Sequence, residues 1–163
     1  MDLARPRILI GALVLAFVAG AVSVGAVILL TRNSIHAPGP GWIPAGSLIS
    51  IDEAGVLALP GRHVFVVANG PEPLALSASA VHMSGEYVAY CKSSGYFESP
   101  THGETFDRFG SYVTGPAAHS MDRVAIAVVR NQVYVDPSLV TPGPPRGSPT
   151  PEPPIGPSCV SAG

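Results

Sequence analysis

An uncharged apolar run near the N-terminus constrains the fold of this chain more than any other feature. Residues 8–30 cover 23 positions without a charged side chain. Because a helix rises ~1.5 Å per residue, a run of this length crosses a hydrocarbon core of ~30 Å with some tilt. Lipid offers the backbone no hydrogen-bond partners, so the segment has to be helical. We therefore predict one transmembrane helix over residues 8–30.

The charges around this run indicate its orientation. Arg5 and Arg7 precede it and Arg32 follows it, which favours a cytoplasmic N-terminus (residues 1–7) and a domain on the extracytoplasmic side of the cell membrane. A cleaved signal peptide is the alternative, but its apolar region spans only ~7–15 residues and ends in small residues. This run is longer and ends in four aliphatic residues at 27–30. We expect a single-pass anchor.

Composition excludes several classes of function. The net charge is −2 and only 12% of residues are charged, so electrostatics give no reason to expect a nucleic-acid partner. The two cysteines, Cys91 and Cys159, form no CxxC pair from which this chain alone could build a thiolate zinc site. A disulfide between them is permitted outside the cytoplasm; two unpaired cysteines, or pairing with a partner chain, are the alternatives. No nucleophile–base pair or carboxylate dyad supports a hydrolase.

The rest of the chain divides into three parts. Residues 31–44 are rich in proline and glycine and are typical of a linker. Residues 45–140 carry the pattern of a folded domain. Residues 141–158 contain eight prolines, so we predict a disordered, proline-rich tail over 141–163 that acts as a spacer rather than as a ligand for a partner's aromatic groove.

The domain has the pattern of a β protein. Short apolar or β-branched runs bounded by glycine and proline predict antiparallel strands in a sandwich or barrel, and no helical periodicity lasts three turns. Arg130 and Asn131 form a turn-capable pair between the last two runs. Residues 82–117 are rich in Gly, Ser, His and Tyr and predict functional loops on this scaffold. The predicted strands are 47–51, 63–67, 74–78, 124–129 and 132–135.

Five segments resemble the Rieske iron–sulfur domain, in the form of a membrane-anchored respiratory subunit. In that family a Cys-x-His loop is followed by Cys-x-x-His-Gly, an Asp-x-x-Gly turn and a Gly-Pro-Ala loop. Here sixteen residues separate His82 from Ser99, as in the family, and His102-Gly103 follows. The resemblance implies an all-β, Rieske-like antiparallel β sandwich with an inserted loop subdomain at about 80–117. The segments are Ala78-Ser-Ala-Val-His-Met-Ser-Gly85, Phe97-Glu-Ser-Pro-Thr-His-Gly103, Phe106-Asp-Arg-Phe-Gly110, Gly115-Pro-Ala117 and Val133-Tyr-Val135.

Both cysteine ligands of the family are replaced. Ala80 and Ser99 stand at their positions, whereas a Rieske cluster needs two thiolates on one iron and two imidazoles on the other. Alanine has no donor atom, and a serine hydroxyl is a poor substitute for a thiolate. The resemblance therefore implies a fold retained after its 2Fe–2S cofactor was lost.

Supporting positions of the cluster are replaced as well. Respiratory members often carry two further cysteines that tie the loops together, and Gly85 and Thr101 stand there. Some members place a serine and a tyrosine after the second loop to hydrogen-bond the cluster sulfurs, and Glu104 and Phe106 stand there.

His82 and His102 are the candidate metal ligands. We expect their loops to face each other, which gives a two-imidazole metal site, a pH-sensitive contact, or two exposed histidines left from an ancestral site. A third ligand from Glu104 or Ser99 is conceivable, as is an approach of Cys91 to the site. His36, His63 and His119 stand alone and are expected on the surface or in loops.

These observations predict a non-catalytic, cluster-free, Rieske-like accessory subunit of a membrane respiratory or electron-transfer complex. Its partners would be the membrane and other subunits of that complex, its role structural or in assembly, and its cofactors none. One alternative is a redox-active Rieske-type electron carrier, with a metal ion or 2Fe–2S centre held partly by His82 and His102. Another is a free-standing, membrane-anchored extracytoplasmic binding module.

Overall fold

The computed structural model describes residues 38–83 and 85–160, and these form an all-β domain with one short helix. The predicted cytoplasmic segment and transmembrane helix lie outside these residues. Within the described part of the chain, no helix has the length and apolar character needed to cross a membrane. The elements in chain order are β1 (Ile43–Ser47), α1 (Leu48–Ala54), β2 (Val56–Leu59), β3 (Val64–Val67), β4 (Leu74–Ser77), β5 (Ala89–Cys91), β6 (Tyr96–Glu98), β7 (Thr105–Phe106), β8 (Tyr112–Thr114), β9 (Arg123–Val129) and β10 (Gln132–Thr141).

Six strands form a base sheet and four form an inserted sheet. The base sheet has the order β1-β10-β9-β4-β3-β2, and the inserted sheet has the order β5-β6-β7-β8, with every pairing antiparallel. The chain leaves the base sheet after β4 and returns on the neighbouring strand β9, where Leu76 pairs with Arg123. The predicted insertion is therefore confirmed, although its framework is a small sheet and not loops alone.

Strand β3 shows why the base sheet is apolar on both faces. Val64 and Val66 point into a core that includes Ile51 of α1. The alternate residues Phe65 and Val67 belong to a second core, which the base sheet shares with the inserted subdomain. Side chains alternate between the faces of a strand, so a strand covered on both sides is a continuous apolar run. This two-sided burial fixes the inserted subdomain on the sheet.

The hairpin of β9 and β10 is predicted correctly. Both residues of its turn have positive φ, 50° at Arg130 and 69° at Asn131. Two-residue turns of this kind match the twist of paired strands. The hairpin pairs Gln132 with Val129 and continues to Val135 opposite Ile126.

The prediction of a strand over 47–51 is wrong, because α1 begins at Leu48. The Ser47 side chain accepts a hydrogen bond from the Ser50 amide at 3.1 Å, an N-cap contact. Gly55, at φ 68°, ends the helix by donating to the Ile51 carbonyl. One apolar anchor, Ile51, is buried, whereas Ile49 is exposed, so the cap residues decide the local structure.

Residues 142–160 do not form the disordered tail that their composition predicts. They run along the inserted subdomain, where specific donors and acceptors hold the backbone. The Arg146 side chain donates to the Ala117 carbonyl at 2.6 Å, and the Glu152 amide donates to Asp107 at 2.9 Å. Farther along, a disulfide joins Cys159 to Cys91. Proline density prevents regular structure, but these contacts replace it.

Candidate functional site

Two loops of the inserted subdomain bring the candidate ligands His82 and His102 together. His82 lies in the first loop (residues 78–88, between β4 and β5), and His102 lies in the second loop (residues 99–104, between β6 and β7). Their ring centroids are 4.8 Å apart, and the rings meet edge to face at 80°. The expected facing arrangement of the two loops is present.

The second loop is shaped by its own polar groups. The Ser99 amide donates to the Glu104 carbonyl at 2.9 Å and closes the loop. The Ser99 hydroxyl accepts a bond from the His102 amide at 3.3 Å and lies 3.4 Å from the Thr101 hydroxyl. Gly103 takes φ 70°, a conformation that glycine adopts without steric cost. These bonds hold the His102 backbone in place.

Glu104 links the second loop to the first. Its side chain is completely buried, with one carboxylate oxygen 3.2 Å from Nδ1 of His82 and the other accepting from the Val81 amide at 3.2 Å. A Cβ at Gly115 would lie 2.4 Å from the Glu104 Cα, so only glycine lets the third loop (residues 115–122) rest on this residue. Glu104 is therefore enclosed by all three loops.

A second polar contact joins the first two loops at their surface. The Thr101 hydroxyl donates to the Glu86 carboxylate at 3.0 Å. Thr101 and Gly85, next to Glu86, hold the positions of the family's loop-tying cysteines. A hydrogen bond thus stands where the resemblance implies a covalent link.

The arrangement of strands and loops decides the fold. A small antiparallel sheet is inserted between two neighbouring strands of a base sheet, and its first two loops present facing histidines at the family spacing. The domain is Rieske-like.

Comparisons with known proteins list Rieske structures. The plasma membrane Rieske protein PetC3 of Synechocystis PCC 6803 is 28% identical over 57% of this chain and 97% of its own, with a TM-score of 0.47. The ferredoxin of carbazole 1,9a-dioxygenase from Nocardioides aromaticivorans IC177 is 20% identical over 59% of this chain and 97% of its own, with a TM-score of 0.41. NdmA of Pseudomonas putida CBB5 is 17% identical over 58% of this chain and 33% of its own, with a TM-score of 0.37. No family model and no curated protein matches the sequence.

The residues of this Rieske-like domain do not fit a 2Fe–2S cluster. The two positions that should supply thiolates are packed into the interior, with Ala80 at 7% exposure and Ser99 at 1%. Ala80 offers no donor atom, and the Ser99 hydroxyl is engaged by its own loop. Between the loops, the Glu104 carboxylate is bonded to the first loop, at the position where some members have a sulfur-bonding serine. Phe106, at the tyrosine position, is part of the apolar core.

Cys91 does not approach the histidine pair. It is bonded to Cys159, with 5.6 Å between the Cα atoms, so the alternatives of unpaired cysteines or pairing with a partner chain are wrong. Among residues 38–83 and 85–160, the one group of three close metal-ligating side chains is Cys91, Glu98 and Cys159, and its sulfurs are consumed by the disulfide. Metal binding at His82 and His102 stays a prediction.

Glu98 holds the end of the tail immediately before the second loop. One carboxylate oxygen accepts from the Ser94 hydroxyl at 2.6 Å; the other accepts from the Ser158 hydroxyl and the amides of Cys159 and Val160 at 2.8–3.1 Å. Burial raises the pKa of this carboxyl, but the hydrogen bonds outweigh burial and leave the pKa below its usual value.

The isolated histidines of the described residues have local partners. The His63 ring stacks on Tyr87, with 4.1 Å between centroids. The His119 ring nitrogen lies 2.7 Å from the Ser120 carbonyl and 3.5 Å from an Asp122 oxygen. Neither histidine has a structural link to the candidate site here.

Sequence reasoning identified the two histidines but not how Glu104 acts. The available signal was an acidic residue between Gly103 and the apolar Phe106, in a stretch that the resemblance places against the cluster. A charged residue there needs a partner once it is buried, and His82 is the partner that the fold supplies.

Proposed function

We propose that this chain is a cluster-free, Rieske-like accessory subunit of a membrane electron-transfer complex, with a structural or assembly role. One observation carries the proposal. The buried Glu104 carboxylate joins the two ligand loops through His82 and Val81, so protein atoms perform the linking that a cluster performs in Rieske domains. The domain therefore keeps its loop geometry without a cofactor, and it has no group that could carry an electron.

The proposed location is the extracytoplasmic side of the cell membrane. The apolar run at 8–30 supplies the anchor, and the arginines around it favour a cytoplasmic N-terminus. The Cys91–Cys159 disulfide supports the same side, because disulfides persist in oxidising compartments and are rare in the cytoplasm.

The first loop offers a surface for a partner subunit. Met83 and Tyr87 are each 43% exposed beside His82, and methionine and aromatic side chains are enriched at protein interfaces. Purification of the full chain in mild detergent should recover stoichiometric partner subunits, and Met83→Glu should weaken their retention. Lys92→Glu, an exposed change in strand-connecting sequence outside this loop, is the matched control. Recovery of the wild-type chain alone would instead support the free-standing binding module.

Reconstitution tests the absence of the cluster. The wild-type chain, incubated anaerobically with iron and sulfide, should give no Rieske-type paramagnetic resonance signal. The variant Ala80→Cys/Ser99→Cys/Glu104→Ser restores both thiolates and the small hydroxyl side chain, so it should give one if the loops keep the family geometry. Removing one imidazole from that variant with His102→Ala should abolish the signal.

The double variant Ala80→Cys/Ser99→Cys isolates the part played by Glu104. It should bind less iron than the triple variant, because the carboxylate still fills the space between the loops. A wild-type signal with about two irons per chain, the content of one cluster, would contradict the proposal and favour the redox-active carrier.

A further inference from the structure

The proline-rich segment at residues 143–160, called the strap below, is bound to the inserted subdomain along its length. Its hydrogen bonds to the rest of the domain all go to residues 91–122 within the described chain. Arg146 covers the Tyr112 ring at 4.4 Å, near the third loop. Close to the strap's end, the Ser93 hydroxyl donates to the Pro157 carbonyl at 2.7 Å. The strap therefore touches the part of the domain that carries the histidines, not the base sheet.

The disulfide that closes the strap is accessible from one side only. Cys91 is 3% exposed, whereas Cys159 is exposed to solvent. The bond borders an open cleft of about 200 Å³ lined by Ala89, Tyr90, Pro100 and Val160. An attacking thiolate can therefore reach the Cys159 sulfur, with Cys91 as the leaving group.

The surroundings of Cys91 suit it to leave. The Ser93 hydroxyl lies 3.1 Å from the Cys91 sulfur and can turn to donate a hydrogen bond to a thiolate as it forms. A donor at this position offsets part of the cost of a buried thiolate. The remaining ligand of the three-residue group, Glu98, is saturated by four donors, so it serves the strap and is not free to ligate a metal ion.

Glu98 connects the disulfide to the candidate site. It binds the strap backbone at Cys159 and Val160, and the next residue in the chain is Ser99, which holds the His102 amide. Loss of the strap's end would remove three donors from Glu98 and expose it to water. The conformation of the second loop is thereby tied to the closure of the strap.

We propose that the Cys91–Cys159 disulfide is a thiol–disulfide exchange site for an extracytoplasmic dithiol protein, and that its reduction releases the end of the strap and loosens the second loop. The partner's thiolate attacks the Cys159 sulfur, the Cys91–Cys159 bond breaks, and Cys91 leaves as a thiolate that takes a proton from water. The partner's second thiol loses its proton and attacks the partner's own sulfur in the mixed disulfide, so that Cys159 leaves as a thiolate and is protonated. The protein disulfide gains two electrons and two protons, and the partner dithiol becomes a disulfide.

The test uses the full chain in detergent with glutathione and dithiothreitol as probes. Mass spectrometry after quenching with a maleimide should find the glutathione mixed disulfide on Cys159 at least about tenfold more often than on Cys91, because access selects the sulfur that is attacked. Ser93→Ala should slow reduction by dithiothreitol about threefold or more, because the leaving thiolate loses its donor. Ser138→Ala, a serine on the base sheet, is the matched control and should leave the rate unchanged.

Hydrogen exchange gives the second readout. Reduction should raise amide exchange in the strap and in the second loop and leave strands β9 and β10 protected. A disulfide that dithiothreitol reduces only in denaturant, a mixed disulfide mainly on Cys91, or unchanged exchange in the second loop after reduction would each overturn the proposal. The double variant Cys91→Ser/Cys159→Ser should show the reduced exchange pattern without any reductant; the oxidised pattern in that variant would also overturn it.

Discussion

Replacing Glu104 by alanine tests whether its carboxylate holds the two ligand loops together. In the wild type this side chain is completely buried, and its oxygens lie 3.2 Å from both the Val81 amide nitrogen and the His82 ring nitrogen. The alanine variant keeps the backbone but removes both acceptors and two methylene groups. The first loop then loses its buried partners in the second.

The magnitude follows from these contacts. A buried donor without a partner costs about 1–3 kcal/mol, and each lost methylene costs about 0.8 kcal/mol. The relief of the desolvation of a buried carboxylate offsets part of this sum. We expect the free energy of unfolding to fall by about 3 kcal/mol in Glu104→Ala, which lowers the Tm of a domain of this size by roughly 10 °C.

Glu104→Gln separates the contact from the charge. Glutamine keeps the volume, its carbonyl can accept from the Val81 amide, and its NH2 can donate to a neutral His82 ring, so the loss should stay below about 1 kcal/mol. Glu72→Ala, at an exposed loop position, is the control. Urea unfolding followed by circular dichroism measures all three. If Glu104→Ala is as stable as Glu72→Ala, the carboxylate does not hold the loops and the reasoning fails.

Three further predictions concern the packing of the subdomain and the strap. Gly115→Ala places a Cβ 2.4 Å from the Glu104 Cα at φ +97°, so we expect a loss of more than about 2 kcal/mol in urea unfolding; a neutral result would contradict the close approach. Phe97→Ala removes a fully buried ring from the shared core and should cost about 3–5 kcal/mol, a value that a loss under 1 kcal/mol would refute. Because the folded-state pKa of Glu98 is lowered, its stabilisation is fully present above the unfolded pKa of about 4.5 and disappears as pH falls through the folded pKa. The stability gap between the wild type and Glu98→Gln should therefore be constant above that pH and shrink below it; a gap that grows on acidification would show the opposite sign.

The base sheet was predictable because its pattern is local. The runs at β3 and β9–β10 are β-branched over four residues or more, and Arg130 and Asn131 favour the turn between them. The helix α1 was missed because Ser47 and Gly55, its caps, flank a segment too short to show helical periodicity.

The site was only half predictable from the sequence. The spacing of His82 and His102 follows from the resemblance, and so does the loss of the thiolates. The pairing of Glu104 with His82 spans 22 positions, and the disulfide of Cys91 spans 68. Contacts at such separations depend on the tertiary fold, and a proline-rich composition does not reveal that Glu98 is waiting to bind the strap.

The central claim is that this Rieske-like domain carries no cluster in its native membrane. Iron and acid-labile sulfide, measured on the full chain purified from that membrane in mild detergent and compared with paramagnetic resonance of the reduced sample, test it most directly. We predict iron and sulfide below about 0.1 per chain and no Rieske-type signal, because Ala80, Ser99 and Glu104 leave one iron without its thiolates. Iron and sulfide near two per chain, the content of one such centre, together with that signal, would contradict it.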